Sequence, residues 1–206
     1  MTRKILIPTL AGVVVAVTLL MGAFKTQSAL SREVIRLHVR ANSNTDADQK
    51  LKLSVRDAIL SEARKLSTDC TSASEAETLI TSNMDKILLC AQNEVRKNGY
   101  SYPVSVNFGK STFPAKAYGE LNFPAGSYKA LTVEIGEGTG DNWWCVMFPP
   151  LCFTEETVSA FAETDKILMD NLNKEAYSAV NPKGFTVKFK IYESILNAKS
   201  GLQNSK

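Results

Sequence analysis

Hydrophobic and polar positions change period several times along this 206-residue chain, and each change marks an element. Between Glu33 and Asn42, the residues Ile35, Leu37, Val39 and Ala41 alternate with Arg36, His38, Arg40 and Asn42. That period of two predicts a half-buried strand with a polar outer face. Thr45 and Asp48 then make a capping box. Leu51, Val55, Ala58, Ile59 and Leu66 follow on one helical stripe. Ser72 with Glu75 makes a second capping box. It predicts a helix over Ser74–Lys97, with Ala76, Leu79, Ile80, Met84, Ile87, Leu88, Ala91 and Val95 on its apolar side and Asn98-Gly99 as C-cap. The two helices make a hairpin whose apolar faces need a sheet or each other.

The second half returns to a period of two. Val104, Val106 and Phe108 alternate with Ser105 and Asn107; Lys110–Ala117 reads as a loop. Tyr118–Phe123 and Tyr128–Ile135 suggest a hairpin across Pro124–Ser127. Gly136–Asp141 (GEGTGD) is a tight connection into Trp143–Phe148, which is apolar on both faces: Trp143, Cys145 and Met147 on one, Trp144, Val146 and Phe148 on the other. Such a strand expects cover on both sides and stops at Pro149-Pro150, which cannot donate to a ladder. Thr154–Ala179 has helical spacing, and Phe185–Ile191 alternates again. The order predicts an α+β fold: a mixed or antiparallel sheet of about five to six strands, with a helix hairpin and a further helical segment packed on it.

Charge changes the picture mainly at the N-terminus. Arg3 and Lys4 precede Ile5–Phe24, which carries no charge and is just long enough to cross a bilayer. Residues 1–30 are therefore read as an export signal or membrane anchor, and residues 31–206 as one exported domain that meets the membrane through residues 5–24 before any cleavage. The formal net charge of +3 leaves no footprint for nucleic acid. Four cysteines in an exported chain favour disulfides over metal sites, and the single histidine argues against a Cys/His zinc site. Cys145 and Cys152, with Pro149-Pro150 between them, are the better pair. A Cys70–Cys90 bridge is harder. Cys90 falls roughly 16 residues into the expected helix, about 24 Å along its axis, so a bridge requires that helix to break or start late.

No catalytic constellation stands out. GEGTGD precedes a strand rather than a helix and lacks Gly-Lys-Ser/Thr, so a turn explains it better than a phosphate loop. Glu134, Glu137 and Asp141 lack the spacing of a calcium loop and read as an exposed acidic turn. His38 is a candidate base, weighed against a plain strand histidine between two arginines; there is no G-x-S-x-G elbow to pair it with. The reading is no enzyme, no cofactor and no metal. Trp143 and Trp144 read first as core residues, with Trp144 as a surface anchor in the alternative.

Four blocks carry a resemblance: Ile35–Ser43 (IRLHVRANS), Leu51–Asp57 (LKLSVRD), Phe123–Tyr128 (FPAGSY) and Ile135–Phe153 (IGEGTGDNWWCVMFPPLCF). Together they resemble the stage II sporulation protein R family of endospore-forming Firmicutes. Arg40, where an aliphatic residue is common, and Asn44-Thr45 are the departures. The resemblance implies a signal made in the forespore and exported into the space between forespore and mother cell. There it would activate a membrane-embedded aspartic protease of the mother cell, which cleaves the sigma-E precursor. Candidate contacts are the strand face of Arg36, His38 and Arg40, together with Trp144 and the stapled tip bearing Phe148 and Leu151. The alternatives are an exported cell-envelope hydrolase using His38, and an anchored structural envelope protein.

Overall fold

The computed structural model describes residues 27–67, 70–118, 121–152 and 161–181, with Val17, Thr18, Met21 and Lys25 before them. Most of the 5–24 segment, the Thr154–Ala179 helix before residue 161 and the Phe185–Ile191 strand lie outside these residues. Among the described residues, no helix is long and apolar enough to cross a membrane. The elements are β1 (Ile35–Arg40), α1 (Asp46–Ser67), α2 (Ala73–Ser82), α3 (Met84–Lys97), β2 (Val104–Phe113), β3 (Lys116–Tyr118), β4 (Leu121–Phe123), β5 (Gly126–Ile135), β6 (Asn142–Phe148), α4 (Phe161–Asn171) and α5 (Lys174–Val180). They make an α+β fold with one mixed four-stranded sheet, ordered β2-β5-β1-β6, and one two-stranded sheet, β3-β4. The chain groups into two compact units interleaved in sequence: Ser31–Phe113 with Ser127–Asn171, and Met1–Leu30 with Pro114–Gly126 and Leu172–Lys206.

In the larger unit, β1 runs parallel to β5 and antiparallel to β6. Ile35, Leu37 and Val39 of β1 point to the same side as Leu131, Val133 and Ile135 of β5. They bury against Leu51, Val55 and Ile59 of α1, Ala76 and Ile80 of α2, and Ile87, Ala91 and Val95 of α3. Each fully buried aliphatic side chain contributes about 1.5–3 kcal/mol, so this helix-covered face dominates the stability of the unit. The alternation in β1 predicted this apolar face.

Four expectations are corrected. The helix expected over Ser74–Lys97 is two helices. Asn83 sits between them, its Nδ2 donating to the Leu79 carbonyl (2.8 Å) and its backbone out of helical geometry at φ −120°. A side chain that takes a backbone carbonyl competes with the helix ladder. The Tyr118–Phe123/Tyr128–Ile135 hairpin does not form. β5 has both edges occupied, by β2 and β1, so β4 pairs with β3 instead; part of the expected 110–117 loop is strand in consequence. The helical stretch after residue 160 breaks at Leu172–Asn173, where Asn173 Oδ1 caps α5 by accepting from Ala176 N (2.9 Å). Finally, Phe148 does not share a face with Trp144. The β1–β6 register slips between Ile35 and Arg36, so Phe148 lies opposite Ile35 in the helix-side core.

The predicted caps form. Ser72 Oγ accepts from Glu75 N (3.2 Å), and the Glu75 carboxylate reaches back to Thr71 N (2.8 Å). α3 closes in a Schellman motif: Gly99 adopts φ +84°, Tyr100 N donates to Val95 O and Gly99 N to Arg96 O. In the smaller unit, α5 packs against β4, and Tyr118 and Phe123 meet edge to face at 5.4 Å.

Candidate functional site

The β5–β6 connection explains why two distant sequence blocks belong together. β1 lies between β5 and β6 in the sheet. Gly136–Asp141 is therefore not a hairpin turn but a crossing over the C-terminal end of β1. There it meets Ala41–Asn44. Gly140 N donates to Ala41 O (2.9 Å), Thr139 N and Oγ1 to Asn42 O (3.3 and 2.7 Å), Glu137 N to Asn42 Oδ1 (3.0 Å) and Asp141 N to Asn44 Oδ1 (2.6 Å). The glycines are there for clearance. Gly136 and Gly138 adopt φ +62°. A methyl carbon on Gly140 would overlap the Ser43 carbonyl.

Beneath the crossing, α1 presents a row at i, i+4 and i+8: Asp48, Lys52 and Arg56, all buried. Asp48 Oδ2 accepts from Ser43 Oγ (2.6 Å) and Asn42 Nδ2 (2.9 Å). The Ser43 bond first, then the Asn42 bond, hold its carboxyl below the usual carboxylate range. Burial pushes the nearby Tyr102 hydroxyl up, with the Asp48 charge adding to it. Lys52 Nζ donates to Gln49 Oε1 (2.6 Å) and the Asp141 carbonyl (3.1 Å); burial lowers its pKa, partly offset by Asp141. The Arg56 guanidinium lies 4.1 Å from the Trp143 ring centroid. Each member of the row thus anchors a different part of the two sequence blocks.

On the opposite sheet face, the strand expected to be polar and exposed is largely covered. Arg36 is wholly buried: Nε donates to Cys145 O (3.1 Å), and the guanidinium lies 4.4 Å from the Phe113 ring centroid and 5.1 Å from that of Tyr128. His38, 6 % exposed, stacks on Trp144 (5.8 Å, 27°) and meets the edge of Phe113 (6.1 Å). Its tautomer follows from the network. Arg40 Nε can only donate, and it contacts Asn142 Oδ1 at 3.1 Å. His38 Nε2 faces the same oxygen at 2.6 Å, so Nε2 carries the proton. Burial, helped by Arg40, lowers the His38 pKa against the opposing Asn142 bond. His38 is therefore neutral near pH 7. Arg40 also pairs with Glu134 (3.3 Å), both about two-fifths exposed.

At the other end of β6, Cys145 and Cys152 are joined by a disulfide with Cα atoms 5.3 Å apart. The tip does not project. Phe148 is 5 % and Leu151 1 % exposed, and Leu151 N donates back to Val146 O (3.1 Å). Cys70 and Cys90 are thiols. Cys90 Sγ approaches Ala58 O at 3.5 Å, and burial raises its pKa. The break at Asn83 that a Cys70–Cys90 bridge required exists, but the bridge does not.

The six candidate contact residues therefore divide. His38 and Arg40 meet at Asn142, Trp144 joins them by stacking on His38, and Arg40 and Trp144 keep partial exposure. Arg36, His38, Phe148 and Leu151 are buried. The exposed basic face and the projecting apolar tip are both corrected, because β6 and Phe113 cover the first and the disulfide folds the second inward. Sequence reasoning missed Asn142 as the hinge of the network, and missed the buried Lys52. The spacing 48, 52, 56 was the available signal for the α1 row; nothing local marks Asn142. Glu134, Glu137 and Asp141 do not converge, and among the described residues no group of three or more His, Cys, Asp or Glu is placed to hold a metal.

Comparison with known proteins gives two findings. The family model described as stage II sporulation protein R matches residues 31–158, which span the chain from β1 past the disulfide. A stage II sporulation protein R from Bacillus subtilis (strain 168) is 40 % identical over 149 residues, covering 67 % of this chain and 66 % of the relative, just under two thirds of its length. No solved structure matches. With both interlocked blocks and the disulfide inside the matched range, the chain belongs to the stage II sporulation protein R family.

Proposed function

We propose that this protein is an exported sporulation signal. It activates a membrane-embedded aspartic protease of the mother cell from outside the cytoplasm, and so leads to processing of the sigma-E precursor. Family membership over residues 31–158 carries the reading. The oxidised Cys145–Cys152 pair supports the extracytoplasmic location, since disulfides persist in oxidising compartments, and Arg3-Lys4 ahead of the uncharged run to Phe24 supports export. Activation requires tighter binding to the active state of the protease than to the inactive one. Of the six candidate contacts, Arg40 and Trp144 are the ones a partner reaches without rearrangement.

The hydrolase reading finds no such support. Among the described residues, the His38 ring hydrogen-bonds to Asn142 and not to a hydroxyl or thiol. The test is co-production of the full chain with the protease and the sigma precursor. Processing that depends on the chain is expected; an exported, folded chain that leaves the precursor intact refutes the proposal.

A further inference from the structure

We propose that the Cys145–Cys152 disulfide is a one-way latch that completes the domain only after export; the proposal rests on the signalling reading above. Among the described residues, the tip has few other polar tethers. Pro149 and Pro150 have no N–H to give. Leu151 N is the backbone donor that returns to Val146 O (3.1 Å). Cys152 Sγ lies 3.0 Å from the same oxygen, but a disulfide sulfur has no proton to donate. Arg64 Nη2 reaches Cys152 O only at 3.4 Å. Both cysteines are buried, Cys145 within the helix-side core beside Met147 and Phe148.

In the dithiol form the covalent tie between β6 and Cys152 is gone, which leaves the Leu151–Val146 bond and side-chain burial to hold the tip. The surrounding core is close-packed, and Cys145 is held in the β1–β6 ladder opposite Leu37. Phe148 is held in the same ladder opposite Ile35, so it is the segment beyond β6, Pro149–Cys152, that loosens. The cytoplasm favours the dithiol. Outside it, thiol–disulfide exchange closes the latch. One cysteine thiolate attacks the disulfide of an exchangeable donor and expels one donor thiolate, the second cysteine resolves the mixed disulfide and expels the other, and the two protons given up by the cysteines end on the donor, which is reduced to two thiols. Once closed, burial of both sulfurs keeps reductants away, so the step runs in one direction. Cys70 and Cys90 are not part of the bridge.

The test uses the full chain with Cys70→Ser and Cys90→Ser, either oxidised with glutathione disulfide or held reduced with dithiothreitol. Limited proteolysis between Phe148 and Cys152 is expected to run at least about tenfold faster in the reduced form; equal rates overturn the latch. In the co-production assay, Cys145→Ala/Cys152→Ala is expected to be exported at the normal level yet lose most precursor processing. Normal processing by that variant overturns the latch and leaves the signalling reading standing. If the unsubstituted chain itself triggers no processing, the signalling reading falls and the proteolysis comparison decides the latch alone. Should the substitutions unfold the protein, the natural chain, produced and kept in dithiothreitol throughout so that the bridge never closes, provides the same comparison with its oxidised form.

Discussion

Replacing Gly140 by alanine tests the central topological claim, that the β5–β6 connection crosses the end of β1. Gly140 has no positive φ, so the substitution brings no backbone strain of its own. The new methyl carbon would overlap the Ser43 carbonyl and lie 2.9 Å from Ala41 Cβ. The first obstacle is backbone, which has no rotamer to yield. The crossing must lift, and the bonds from Gly140 N to Ala41 O and from Thr139 N to Asn42 O lengthen or break. Overpacking costs about 1–3 kcal/mol and a lost hydrogen bond about 1 kcal/mol, so Gly140→Ala should destabilise by about 2–4 kcal/mol. Gly109 is the control: it sits in a strand, and an added Cβ meets nothing within 4 Å. Gly109→Ala should be neutral or stabilise by up to about 1 kcal/mol. Urea unfolding followed by tryptophan fluorescence measures both, since Trp143 and Trp144 lie just beyond Gly140. Equal midpoints for the two variants would mean that the crossing does not press on Ser43, and the placement of β1 between β5 and β6 would be wrong.

Other outcomes follow from the same geometry. Asp48→Ala strands the donors on Ser43 and Asn42; charged hydrogen bonds contribute about 1.5–3 kcal/mol each, and solvent screening beneath the loops trims the total, so a loss of about 2–3 kcal/mol is expected in urea unfolding. Because the folded Asp48 pKa is depressed, its stabilisation is present above the unfolded carboxyl value and is lost as the pH falls through the folded one; Asp48→Asn should flatten that part of the profile. His38 is the single histidine, and its folded pKa is lowered from 6.5. Its contribution is therefore present above pH 6.5 and lost as the pH falls from there towards the folded value. His38→Gln should remove this step, and an unchanged profile would show that the ring is solvated. Arg56→Ala should cost about 1–2 kcal/mol through loss of the Trp143 contact and shift the tryptophan emission, while Lys65→Ala, on an exposed i,i+3 pair, should change neither.

Much of this protein was legible in the order of its residues. Alternation in β1 and β5, the helical stripes of α1 to α3, the Ser72–Glu75 cap and the Asn98-Gly99 stop depend on neighbours within a few positions, and local chemistry decides them. The Cys145–Cys152 pair was legible for the same reason, because Pro149-Pro150 turns the chain back over a short distance. Tertiary structure alone decided the rest. Whether Arg36 and His38 face water depends on which strand lies beside β1 and on Phe113, which arrives from 75 residues away. That GEGTGD crosses over β1 rather than closing a hairpin depends on β1 having taken the place between β5 and β6. Lys52 and Arg56 have the composition of a solvated face and became buried because that crossing and Trp143 came down on them. A period of two or 3.6 states which side of an element is apolar; only the partner that packs against the other side determines whether its charges stay in water.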